Sequence, residues 1–523
     1  MIKFAAVTLL FIMACPSGEI LGADTGNITV IPRPQEIVRR DGGFFLNIGT
    51  PVIVTGETRG AGEYLCSLLG RASGIDLEVM EAEFGIREAG SIILKTDPGL
   101  GNLGPEGYVL KIDGNGVLIS AYATAGVFYG IQTLRQMLPS SVESGRVQHA
   151  GWLLPHVEIN DRPRFGWRGL MIDCSRTFQS VDYLKRMIDL LALYKLNVLH
   201  LHLTDDQGWR VEIKRYPELA GKGSRFPARY GKPGGCYSQD ELKELVRYAG
   251  ARQVRLVPEI EIPGHCLAAL ACYPELSCTG GPFEIYPFFM GPGIQENVFC
   301  AGSDKVFEFI ENVLSEVVRV FPGRYVHIGG DEVPKTMWKE CDKCRDRMRK
   351  MGLRSEDELQ SYFIRRIERF LESKGRCLIG WDEIIEGGLA PGAAVMSWRG
   401  MKGGIHAAIE GHDVVMSPTS HCYLDYSHET TSVEKSYSFD PVPAGIPVEK
   451  RKHILGLQGC MWTHIATNDP AVDRQVFPRL IALAEVAWTE PELRSREDFF
   501  RRLKAHYPRL DELAVMYYKE IGY

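Results

Sequence analysis

No excess of basic residues marks this chain: 60 Lys and Arg stand against 66 Asp and Glu, for a formal net charge of -6. Neither nucleic acid nor an anionic membrane surface is therefore expected as a partner. Long apolar runs are missing after the N-terminal segment, so no polypeptide membrane span is expected. Low-complexity stretches and internal repeats are also lacking. No glycine-rich phosphate fingerprint follows an early strand, which counts against an open nucleotide-binding sheet. The 13 cysteines are many for an exported chain but too sparse, over 523 residues, for a disulfide framework. What is present is an ordinary globular composition, 45% hydrophobic, with length for a large core and two or three domains.

The N-terminus reads as a targeting segment over residues 1–23. Lys3 precedes an apolar run from Phe4 to Ala14, followed by small and turn residues. Two endings fit. Cleavage near Ala23 would release a soluble protein. Ile12-Met13-Ala14-Cys15 loosely resembles a lipoprotein box, in which Cys15 would carry lipid and become the mature N-terminus. Either ending implies export, to the periplasm or the cell surface. Cys278 and Cys300 flank a Gly/Pro/Phe-rich loop that they could close. Cys341 and Cys344 form a single Cys-x-x-Cys. Zinc would require a second pair or histidines at suitable spacing, and none is apparent, so a local disulfide or two free thiols is expected, with no metal and no cofactor.

Three further regions separate. Residues 27–155 carry short alternating strands (51–55, 91–95, 108–112, 117–121) and a helix over 126–138, the pattern of a small α+β domain. From 156 to 490 the rhythm becomes strand then helix, repeated. Strands are expected at 169–173, 198–203, 255–260, 325–328, 377–380, 394–397, 413–416 and 454–458. Helices are expected at 181–194 (capped by Ser180), 239–251, 304–320, 356–373 and 470–488. Eight such units make an α/β fold, a (β/α)8 TIM barrel. Residues 491–523 read as a closing helix and tail.

In such a barrel, function gathers at the carboxyl ends of the strands. The ends here are polar or aromatic almost throughout: Asp173 with Ser175-Arg176; His200-x-His202 to Asp205-Asp206; Glu259-x-Glu261 to His265; Asp331-Glu332; Trp381-Asp382-Glu383; Trp398-Arg399; Tyr423 with Asp425-Tyr426; Trp462 and His464. The sharpest feature is His327-Ile328-Gly329-Gly330-Asp331-Glu332, an apolar strand breaking at two glycines into paired carboxylates. Paired acids are usual equipment for glycoside hydrolysis, one serving as proton donor. Gly-Gly-Asp-Glu also opens the signature of bacterial cyclic-dinucleotide synthases, but there an aromatic residue follows, where this chain has Val333-Pro334. Tryptophans past strand ends suit the apolar face of a pyranose, and carboxylates with arginine suit its hydroxyls. A rival reading takes His200-x-His202 as the metal pair of an amidohydrolase-type barrel. That pair belongs on strand one with more histidines later, so a core or supporting role is expected here.

These residues resemble glycoside hydrolase family 20, the β-N-acetylhexosaminidases, from about residue 27 to 490. The resemblance rests on Gly107-Tyr108, the 130–136 segment, Arg168-Gly169 to Arg176, Lys195-Leu196-Asn197 to Asp206, Pro258 to His265, and the 327–332 stretch. It implies exo-acting release of terminal N-acetylglucosamine or N-acetylgalactosamine from glycans, with retention, the substrate's own 2-acetamido oxygen attacking the anomeric carbon. By that resemblance Glu332 is the acid and then the base. Asp331 orients the acetamido group and Tyr423 hydrogen-bonds its oxygen. Trp381, Trp398 and Trp462 wall the pocket, and Arg176 grips the 3- and 4-hydroxyls. Asp205 and His265 support the acid, and Asp425 faces the outer hydroxyls. Glu332 is expected to have a raised pKa, helped by the Asp331 charge. One departure stands out: many members place a glutamate two residues after the last tryptophan, where this chain has His464. A glycan-binding protein on the same scaffold is the non-catalytic alternative.

Overall fold

The computed structural model describes residues 28–81, 89–147, 151–226, 234–287, 290–291 and 293–519. The expected leader, with Cys15, lies outside them. Eight parallel strands follow residue 166: β1 (Trp167–Asp173), β2 (Val198–His202), β3 (Arg255–Glu259), β4 (Tyr325–His327), β5 (Cys377–Trp381), β6 (Ala394–Ser397), β7 (Val414–Met416) and β8 (Ile454–Met461). β8 pairs back onto β1 from Gly456 opposite Trp167 to Met461 opposite Ile172, which closes the barrel. The strands are apolar on both faces because both are buried. Met171, Val198, Val257, Tyr325, Ile379, Met396, Val415 and Cys460 fill the lumen. Leu170, Leu199, Val326, Leu378 and Val395 face the helical ring.

The helices start where their sequences cap them. Ser180 accepts the Tyr183 N–H at 3.1 Å and opens Val181–Leu193. Ser238 and Glu241 form a capping box on Gln239–Gly250. The helix expected over 470–488 is two helices, Asp469–Val476 and Arg479–Trp488. Pro478 separates them because it has no N–H to continue the ladder.

Ahead of the barrel stands a seven-stranded sheet. Its order is Glu36–Leu46, Trp152–Asp161, Tyr108–Asp113, Gly116–Ala121, Ser91–Thr96, Val52–Val54, Val79–Glu81. Arg59–Ser73 and Thr124–Met137 pack on it. The long edge strand was not expected, since Glu36–Leu46 is largely exposed and lacks apolar alternation; Trp152–Asp161, also not expected, runs across the boundary set at 155.

Polar side chains lock the sheet to the bottom of the barrel. Lys195, just before β2, donates to Asp161 at 3.0 Å and to the Tyr108 hydroxyl at 2.8 Å, with Trp488 beside it. Arg168 on β1 pairs with Glu106 at 2.9 Å, and Asn197 donates to the same carboxylate at 3.0 Å. The C-terminal helix Arg496–Glu512 closes the seam, with Arg502 on Glu485 at 2.6 Å and His506 on the Thr29 carbonyl at 2.7 Å. Several residues that carry the family resemblance are thus a structural clamp at the face opposite the strand ends.

Lys195 and Asp161 have no exposed side-chain surface. Removing one buried partner leaves the other charged and unpaired. Lys195→Met is expected to cost about 3–5 kcal/mol in urea unfolding. Lys195→Met/Asp161→Asn together should cost less than Lys195→Met alone.

Candidate active site

The site is built upward from a buried carboxylate. Glu259, the last residue of β3, has no accessible side-chain surface. Its Oε2 lies 2.6 Å from His202 Nδ1 and 3.1 Å from His200 Nε2; its Oε1 lies 2.8 Å from His327 Nδ1 and accepts the Trp381 indole N–H at 2.8 Å. His202 and Trp381 hydrogen-bond one oxygen each, and the other two ring nitrogens lie against them. Burial favours the neutral acid, yet the surrounding imidazoles hold Glu259 well below the ordinary carboxylate range. The neighbours divide. Burial lowers His200 to about 4, so it is neutral, with Nδ1 accepting from Gln458 Nε2 at 3.0 Å. Burial also opposes charge on His202, but Glu259 and Asp205 outweigh it and lift His202 to about 10. The β2 histidines thus serve the carboxylate network, as their expected core role requires.

From His202 the network runs to the mouth. His202 Nε2 donates to Asp205 Oδ2 at 2.9 Å. Asp205 also holds Arg176 Nη2 at 2.7 Å and faces His265 Nδ1 at 3.2 Å. His265 Nε2 lies 3.3 Å from Glu332 and 3.7 Å from Asp331. Asp173 on β1 accepts the N–H groups of Ser175 and Arg176 at 2.9 Å each, and that of Thr463 at 3.1 Å. It thereby fixes Arg176 on one side and the Trp462–His464 turn on the other.

The glycine pair is required by space. Gly329 and Gly330 have φ +63° and +91°; a Cβ at Gly329 would lie 1.6 Å from Glu261 Oε2, and one at Gly330 2.6 Å from an Ile384 methyl. The turn leaves Asp331 buried and Glu332 partly exposed. Glu332 and His265 both have φ +45°, strained for residues with a Cβ, a feature that clusters at working sites.

Aromatic rings wall the mouth. Trp398 stacks on Tyr423 with centroids 6.0 Å apart and planes 19° apart. Trp462 lies 5.9 Å from Trp381 and 6.4 Å from Tyr423. The Arg176 guanidinium sits 4.8 Å over Trp462. Trp398 is anchored by its indole N–H on Glu383 at 2.8 Å. All eleven residues expected at the site come together at this end of the barrel. Asp206, Glu259, Glu261 and Glu383 had been noted only as strand-end residues, without a role. Their side-chain types alone carried no signal separating a hub from a surface acid.

The expected electrostatics of the doublet are reversed. His265 holds Glu332 below the usual range. Burial lifts Asp331 to about 6. Burial and the Asp331 charge lift Glu383 to about 8, and push Glu261 well up. The site therefore holds more buried acid than its cations neutralise, and within the doublet the proton preference lies with Asp331. Several buried polar atoms of the site have no partner, among them Arg176 Nε, Asp331 Oδ1, Asp425 Oδ1 and His464 Nδ1. Each unmet group costs about 1–3 kcal/mol, which a ligand with several hydroxyl or amide groups would recover.

One cysteine expectation needs correction: the fold does not keep Cys278–Cys300 and Cys341–Cys344 as two local pairs but brings the four sulfurs within 4.8 Å of one another, with no disulfide among them.

His202 titrates near 6.5 when unstrained and near 10 in the fold. Its stabilising contribution is complete below about pH 6.5 and is lost as pH rises through about 10. Glu259→Gln should lower stability at neutral pH by about 3–5 kcal/mol. It should also flatten the decline in melting temperature between those pH values, as followed by calorimetry.

Sequence comparison agrees with this geometry. The profile described as "Glycosyl hydrolase family 20, catalytic domain" matches residues 165–491, and that described as "Glycosyl hydrolase family 20, domain 2" matches residues 27–162. A beta-hexosaminidase of Porphyromonas gingivalis is 42% identical over 98% of this chain and 67% of its own length. A beta-N-acetylhexosaminidase of Cellulomonas fimi is 34% identical over 94% of this chain and 96% of its own. The crystal structure of an exo beta-N-acetylglucosaminidase from Vibrio harveyi, in complex with N-acetylglucosamine, superposes with a TM-score of 0.83 at 32% identity. It covers 95% of this chain and 79% of that one.

Proposed function

This chain belongs to glycosyl hydrolase family 20 and is an exo-acting β-N-acetylhexosaminidase, and on that footing we propose the following division of labour among its residues. The observation that carries it is the unpaired, buried Asp331 Oδ1 inside a wall of Trp381, Trp398, Tyr423 and Trp462. An acetamido group fits that surrounding: its methyl packs among the rings, its N–H meets Asp331, and its oxygen is held by Tyr423. Arg176, Asp425 and His464 offer further unpaired polar atoms to the sugar hydroxyls.

The chemistry follows from charge. The acetamido oxygen forms a bond to the anomeric carbon as the glycosidic bond breaks, and Glu332 passes its proton to the departing oxygen. The oxazolinium is cationic, and the buried excess of Asp331, Glu261 and Glu383 suits it. Water then attacks the anomeric carbon, returning its proton to Glu332, with net retention. Binding sets up the protons. The acetamido N–H favours the Asp331 anion, and the sugar covers Glu332 and strips its water, which favours the protonated acid. The proton preference thus moves from Asp331 to Glu332 as substrate enters.

Export rests on the sequence alone: Lys3, the apolar run and Cys15 support a periplasmic or cell-surface enzyme, with a lipid anchor if the lipoprotein box is used. Among the described residues no helix is long and apolar enough to cross a membrane.

With nitrophenyl β-N-acetylglucosaminide, Glu332→Gln is expected to lower kcat/KM by about 10²–10⁴-fold, and most for poor leaving groups. Equal rates for the two proteins would remove Glu332 as the acid and reopen the glycan-binding reading. For the free enzyme, kcat/KM should fall above about pH 6, as the doublet loses the proton that Asp331 holds and Glu332 must donate. Asp331→Asn should lose that limb along with roughly 10²–10³ in rate.

His464 sits beside Arg176, and burial together with that cation keeps its pKa low. A neutral histidine in place of a glutamate leaves this corner open to an anionic substituent such as a 6-sulfate. The ratio of kcat/KM for 6-sulfated over unsulfated aryl N-acetylglucosaminide should then drop in His464→Glu. An unchanged ratio would mean that another residue replaces the glutamate and selection is unaltered.

A further inference from the structure

Four sulfurs from three separate stretches of chain meet beside the active-site loops. Cys278 Sγ lies 3.8 Å from Cys344 Sγ; Cys300 Sγ lies 3.8 Å from Cys341 Sγ and 3.7 Å from Cys344 Sγ. All four are within 4.8 Å of one another. A tetrahedral ion with bonds of about 2.3 Å to sulfur sets its ligands roughly 3.8 Å apart, the spacing of these contacts. Cys300 is equally close to Cys341 and Cys344, so the arrangement is shared among the sulfurs and does not resolve into two pairs. We propose that Cys278, Cys300, Cys341 and Cys344 bind one zinc ion in a closed, four-thiolate structural site.

The surroundings suit a site built into the fold. Cys300 and Cys344 are buried, Cys278 and Cys341 half-buried. Cys341 directly precedes the helix Asp342–Met351 and Cys344 lies in its first turn, so the Cys-x-x-Cys spacing is held by helical geometry. Cys278 and Cys300 are brought together by the backbone: Ser277 bridges Phe299, and the Cys300 N–H donates to the Leu276 carbonyl at 2.9 Å. With four protein ligands no coordination position is left for water, so the ion would take no part in the reaction.

The position gives the ion a purpose. Cys278 and Cys300 belong to the excursion after β3, the loop that carries His265. Cys341 and Cys344 belong to the excursion after β4, which begins at Asp331 and Glu332. Protein contacts already cross between the two: the Trp338 indole donates to the Phe299 carbonyl at 2.9 Å, and the Arg347 guanidinium donates to the Gly302 carbonyl at 3.3 Å. Zinc would clamp the loop of the supporting histidine to the loop of the acid.

The test begins with the wild-type chain purified without chelator and dialysed against metal-free buffer. Elemental analysis should find about one zinc per chain, released by a mercurial thiol reagent. Expression with cobalt should give a thiolate-to-cobalt charge-transfer band in the near ultraviolet, absent from Cys344→Ser. Metal below about a tenth of an equivalent would overturn the proposal, whether non-reducing peptide mapping then finds these cysteines as disulfides or as free thiols. The wild-type measurement decides the matter even if the serine variant fails to fold, and it does not depend on which sugar the enzyme cleaves.

Discussion

One buried carboxylate orders the working end of this barrel. Glu259 is fully buried, so its charge survives through hydrogen bonds from His202 and Trp381 and through the imidazoles of β2 and β4 packed around it. Satisfying it fixes the Trp381 ring, and with it one wall of the acetamido well. Satisfying it also makes His202 a cation, which holds Asp205, and Asp205 in turn holds Arg176 and His265. Glu332 at the mouth is therefore coupled to the dry centre of the barrel through three intervening residues, His202, Asp205 and His265. Such chains are rigid because each group would be left unpaired if its neighbour turned away.

Above that network the charge balance tips negative. Asp331, Glu261 and Glu383 are crowded and desolvated, and each is pushed toward its neutral form. A cation formed in their midst relieves the crowding, whereas a neutral sugar does not. This is the electrostatic form of selective transition-state binding. The turn at Gly329-Gly330 gives adjacent carboxylates different surroundings, sending Asp331 into the acid cluster and Glu332 to the edge, where His265 meets it.

Much of this was legible in the sequence, for identifiable reasons. Barrel strands buried on both faces read as apolar runs, and polar residues at their ends stand out against them, so Asp331, Trp381 and Trp462 were visible. The strand Glu36–Leu46 was not, because an exposed strand has no apolar alternation to show. The break at Pro478 was missed because the apolar spacing continues across it. Arg168, Lys195 and Asn197 were noticed through the family resemblance, yet they bind the two domains together at the end away from the chemistry. Family likeness marks positions and does not say which physical task each performs.

The sequence by itself determined the barrel, the doublet and the class of sugar chemistry, because these depend on local periodicity and on residues near one another in the chain. The tertiary structure alone decided the protonation pattern of Asp331 and Glu332, the hub at Glu259 and the gathering of Cys278, Cys300, Cys341 and Cys344. Those properties arise from groups tens to hundreds of residues apart that share a dry, low-dielectric space. Burial and distance act through three dimensions, and spacing along the chain carries neither.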